Sequence, residues 1–149
     1  MRKFGYAVVG AGSLGIIWIG ANYLLRPGGM VPSFGVPDPP PADDPFLLVK
    51  GVRDVGSGLI LLALAGTLRG RSRDRAVAAA MLAASVIPIG DATIVLSRGG
   101  PAATALGVHG ATALAMILGS AALLRGDRSS VRPGPGHAGS AVAPAAATG

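Results

Sequence analysis

Six residues of this chain can exchange protons, pair charges or hold a small polar molecule, and all six fall in otherwise apolar sequence: Asn22, Lys50, Arg53, Asp54, Asp91 and His109. Lys50, Arg53, Asp54 and Ser57 stand at i, i+3, i+4 and i+7, so on a helix they share one face and Lys50 can pair with Asp54 one turn away. Lys50 and Arg53 can balance Asp54 and Asp91, which leaves His109 as the group able to exchange a proton near neutrality. Asp91 is the hardest of the six to house, because a carboxylate in apolar surroundings must be paired or protonated. Pro88, just before it, should weaken a helix and free a backbone carbonyl near Ser85, where a cation or water can bind.

Other chemistry is excluded or unsupported. There is no cysteine, so disulfides, thiolate metal sites and thiol catalysis are ruled out. No P-loop, GxGxxG after a strand, HExxH or GxSxG occurs, and the run Gly10 to Gly15 reads as glycine-rich helix. Asp91 and His109 could serve an enzyme as acid and base, but no nucleophile or metal set accompanies them. No catalytic residue, metal ligand or cofactor is therefore assigned.

The elements that position these residues follow from composition. The 149 residues are 50% hydrophobic and only 13% charged, which suits a bilayer better than water. The net charge of +6 lies in segments flanking apolar runs, without the interleaved aromatics of single-strand binders, so nucleic acid is a poor reading. Four runs are long enough to span: Tyr6 to Leu25, Phe46 to Leu68, Ala76 to Leu96 and Ala102 to Leu124. A proline-rich loop joins the first two, a basic turn with Arg69, Arg71, Arg73 and Arg75 the next, and a Gly-Gly-Pro turn the last. Short connections force antiparallel neighbours. The expectation is an all-α, integral membrane, up-down-up-down four-helix bundle over residues 1–125, with a disordered cytoplasmic tail over 126–149.

Arg2, Lys3, the four arginines of the second connection, and Arg125, Arg128 and Arg132 fall on one side; the other has Arg26 and Arg98 against Asp38, Asp43 and Asp44. The positive-inside rule then puts both termini in the cytoplasm of a cell membrane. The first run is too long for a cleaved signal peptide and lacks a small-x-small site, so it is read as retained. The abundance of Ala, Gly, Pro and Arg fits a GC-rich bacterial genome.

Without Lys50, Arg53 and Asp54 the second run shrinks to Val55 to Leu68, too short to cross, so the charges must enter the helix and face the bundle interior. Counted from the cytoplasmic ends, Asp54, Asp91 and His109 all lie at about 21–22 Å, with Arg53 beside them and Asn22 at about 24 Å. Each helix thus offers one polar group to one layer. Such a layer can bind a small polar ligand or ion, or relay protons. The competing reading is structural: ion pairs that fix register, His109 as an interhelical donor, Asn22 bonding across helices or lying at headgroups, and Tyr6 and Trp18 as interfacial anchors. Ala103, Gly107, Ala111, Ala115 and Gly119 form a small-residue ridge, which suits internal packing, a partner helix or a homodimer.

The stretch Lys50-Gly51-Val52-Arg53-Asp54-Val55-Gly56-Ser57-Gly58, with Gly90-Asp91, Val108-His109-Gly110, Arg26-Pro27 and Phe34-Gly35-Val36-Pro37, resembles the small four-span membrane proteins of domain-of-unknown-function family 4267. That resemblance covers roughly residues 6 to 125 and implies topology without naming a reaction. A looser, fold-level similarity to DoxX-like bundles transfers no function.

Overall fold

Asp44 and Pro45 make a strong helix start, and in the computed structural model, which describes residues 1–128, they act as one. The Asp44 carboxylate accepts from the Phe46 N–H at 2.9 Å, while Pro45 occupies the first turn, where its missing N–H costs nothing. The described residues form helices and no strand. These are α1 (Arg2–Leu25), α2 (Pro27–Met30), a 3-10 turn (Val31–Phe34), α3 (Pro45–Thr67), α4 (Gly70–Ala84), α5 (Val86–Ser97), α6 (Ala102–Thr104), a π-helical segment (Ala105–Gly110) and α7 (Ala111–Arg128).

Three stretches are long and apolar enough to cross a membrane: Arg2–Leu25, Gly70–Ser97 and Ala102–Gly126. Only 22 to 28% of each apolar window is buried by the protein itself, so most of that surface needs an apolar solvent. α3 has the length but carries Lys50, Arg53 and Asp54. α1 packs along α3 and against α7, α4 packs against α7 and α3, and α5 lies on the π segment. Val9, Leu61, Val77, Ala78, Met81 and Leu123 meet as one core cluster; Tyr23, Val31 and Leu47 form a second.

The α1–α3 crossing is tight because both partners offer glycine. A Cβ on Gly20 would lie 2.6 Å from the Gly51 carbonyl oxygen, and one on Gly51 would lie 2.9 Å from that of Gly20. The missing side chains let the two backbones touch.

Several details depart from the linear reading. The proline-rich loop is partly helical, since Pro27 and Pro32 sit at first-turn positions where proline is favoured. Of the basic connection only Leu68 and Arg69 are extended; the remaining arginines continue the helix from Gly70. The chain bends at Ser85, but the Ser85 carbonyl accepts from the Ile89 N–H at 3.2 Å. Pro88 leaves the carbonyl of Ala84, next to Ser85 and four residues back, without a helical donor, in keeping with the expected freed carbonyl near Ser85. The tail expected over 126–149 lies outside the described residues from residue 129 on.

Candidate functional site

Asp54 sits fully inside the helical assembly, its side chain 2% exposed. A buried carboxylate needs cations, and the i+4 spacing supplies one: Lys50 Nζ donates to Oδ2. Arg53, the preceding residue, folds back to donate from Nε and Nη2 to Oδ1 at 3.2 and 3.1 Å. Both carboxylate oxygens are thus engaged. Two cations against one anion leave this triad with a formal charge of +1.

The Lys50 ammonium is also held by aromatic faces. It lies 4.6 Å from the Tyr23 ring centroid and 5.6 Å from that of Phe34, both within cation–π range. Tyr23 comes from the last turns of α1, and Phe34 ends the 3-10 turn. Gly35 follows with φ +96°, the left-handed region that glycine enters without steric cost, and so turns the chain back over the helices.

Phe34 links this triad to a second pair. Its carbonyl accepts from His109 Nε2 at 3.2 Å, and its ring meets the imidazole at 5.1 Å between centroids. The other imidazole nitrogen, Nδ1, faces Asp91 Oδ2 at 4.0 Å. A carbonyl can only accept, so Nε2 carries a proton. Nδ1 then opposes the carboxylate favourably only when a further proton resides on the pair, as imidazolium with carboxylate or imidazole with carboxylic acid. Lys50, Arg53, His109 and Asp54 all act electrostatically on Asp91, and Asp54, Asp91 and Arg53 act on Tyr23. These six ionisable groups therefore share one field.

His109 owes its orientation to the π segment. A wide turn with i→i+5 hydrogen bonds re-aims the residues above it relative to those below. The small-residue ridge is split accordingly. Gly119 packs against Val8 and Met81, while Ala103, Gly107 and Ala111 face outward.

Of the six sequence candidates, Lys50, Arg53, Asp54, Asp91 and His109 come together. Asn22 does not join them: its amide donates to the Trp18 carbonyl at 2.8 Å and accepts from Arg26 at 3.1 Å, so it bonds along its own helix. Tyr23 and Phe34 were missed; the signal for Phe34 was an aromatic residue followed by glycine inside a proline-rich loop. Tyr23, Val31, Phe34, Leu47 and Lys50, together with Val36 and Pro40, line a cleft of about 160 Å³. Among the described residues no three His or acidic side chains gather to hold a metal ion.

Also missed was Asp74, hidden among arginines in the sequence. It is 1% exposed, paired with Arg2 Nε at 2.9 Å and accepting from the Tyr6 hydroxyl. Arg73 lies 4.8 Å over the Tyr6 ring. Tyr6 thus directs its hydroxyl to a buried acceptor, whereas Trp18 is 62% exposed. Tyr6 lies about 25 Å along α1 from Tyr23, so this is a separate cluster.

A family model described as "Domain of unknown function (DUF4267)" matches residues 13–124. No curated protein and no solved structure matches the chain.

Proposed function

The chain belongs to this family, Domain of unknown function (DUF4267), and we propose that it is a multi-pass membrane protein whose intramembrane polar cluster binds a small polar ligand together with a proton. The observation that carries the reading is the Asp91–His109 pair, whose members face each other favourably when a further proton resides on one of them, set in the same field as the Lys50–Asp54–Arg53 triad. Intramembrane ionisable groups are expensive and mark binding sites or proton paths.

Four crossings are part of this reading. α3 turns Asp54 inward while Val52, Leu59 and Ile60 are exposed at 63, 53 and 60%, as a span with a lipid face and a polar face would be. Short links after α3 and α5 suit antiparallel neighbours, and the basic residues place both termini in the cytoplasm by the positive-inside rule.

The test is a histidine ¹⁵N spectrum of the protein in lipid bilayers, with His109→Gln identifying the resonance. A proton signature at Nδ1 that Asp91→Asn removes is the expected result. A His109 spectrum identical in the Asp91→Asn protein overturns the proposal.

A second reading is favoured by the split ridge: Ala103, Gly107 and Ala111 face outward, so an accessory role, with a second copy or partner helix seated there and the ion pairs fixing register, is the alternative.

A further inference from the structure

We infer that the cleft at Lys50 is a binding site for a small amphiphilic monoanion, a carboxylate on a compact apolar body. This deepens the ligand-binding reading above and rests on it. The walls supply the first argument. Tyr23, Val31, Phe34, Leu47 and Val36 present apolar carbon, and Lys50 is the one charged residue in the lining. A dry apolar cavity of about 150 Å³ accepts a benzene-sized body, and this cleft measures about 160 Å³.

Charge supplies the second. Asp54 has both oxygens engaged by Lys50 and Arg53, so its charge is already turned to the protein's own cations. The triad's formal +1 favours an anion. Lys50 has three N–H donors. The ammonium hydrogen-bonds Asp54 and lies 4.6 Å from the Tyr23 ring centroid and 5.6 Å from that of Phe34, the latter near the outer edge of cation–π range. With three donors and one hydrogen bond to Asp54, the ammonium has capacity left for a carboxylate oxygen. A ligand with its apolar body among Val31, Leu47 and Val36 and its carboxylate at Nζ uses both properties of the cleft.

Benzoate is the probe, compared with benzamide and benzylamine, added to the full chain in lipid nanodiscs and followed by the ring signals of Tyr23 and Phe34. Saturable benzoate binding, weaker by about tenfold or more for benzamide and absent for benzylamine, is expected. Lys50→Met should abolish the preference for benzoate over benzamide. Because that substitution also disturbs Asp54, Val36→Trp provides a second arm: it puts a large side chain into the lining of the cleft, replaces no residue of the triad and should abolish binding. Equal affinity for benzoate and benzamide makes the cleft a general apolar cavity and overturns the inference, as does benzoate binding that survives Val36→Trp. Absence of benzoate binding with the His109 proton signature intact overturns this inference alone; loss of that signature overturns the reading beneath it.

Discussion

His109 meets Asp91 across two helices, with Nδ1 and Oδ2 4.0 Å apart, while its other ring nitrogen gives its proton to the Phe34 carbonyl. The loop, α5 and the π segment are thereby tied through one imidazole. A double-mutant cycle with Asp91→Asn and His109→Gln should show a coupling of about 0.5–3 kcal/mol in unfolding free energy. Strict additivity would mean that the two side chains do not interact.

Asp54 is the shared counter-ion of two cations, one of them largely buried. Asp54→Ala should destabilise the protein by about 3–5 kcal/mol, because Lys50 is left without its counter-ion, and the double variant Lys50→Met/Asp54→Leu should recover most of the loss. Denaturant titration in mixed micelles measures both. Equal instability of the single and double variants would show that the pair does more than satisfy its own charges.

The α1–α3 crossing makes a contrast between glycines. Gly20→Ala places a methyl against the backbone of α3 and should cost about 1–3 kcal/mol, whereas Gly56, whose Cβ would meet nothing within 4 Å, should tolerate alanine within about 0.5 kcal/mol. The same micelle assay checks this, and the helices do not cross at Gly20 if the two substitutions behave alike.

Tyr6→Phe removes a hydroxyl donated to the buried Asp74. The expected loss is about 1.5–3 kcal/mol, the range for hydrogen bonds to a charged partner. A neutral outcome in thermal unfolding would place the phenol in solvent or headgroups instead.

A cysteine at Ala111 reports on the outward section of the ridge. Oxidative crosslinking in native membranes should give a covalent dimer, and a cysteine at Ala113, which is 5% exposed, should not. A monomer from both positions would remove the second-copy reading.

Membrane character was legible in the sequence because it depends on long apolar runs, and the charged face of α3 because Lys50, Arg53 and Asp54 keep helical spacing. The convergence of Asp54, Asp91 and His109 was approachable by counting rise along each span, since that count tolerates a shift of a few residues. Three things were not legible. Asn22 matches the layer in height, but height says nothing about whether an amide bonds its own helix. Asp74 reads as one charge in a solvated basic turn until the helix is seen to begin at Gly70. Phe34 depends on a loop folding back over the bundle, which Gly35 permits but no periodicity announces.

The wide turn at Ala105–Gly110 changes how substitutions along the final span should be interpreted. A helical wheel drawn through Ala102–Gly126 as a single α-helix is out of phase by about 100° between its ends, one residue's worth of rotation. Removing one residue from that turn would act like a change of gear: Ala103 and the other residues before the turn would swing to new neighbours while Ala113, Ser120 and Leu123 kept their seats.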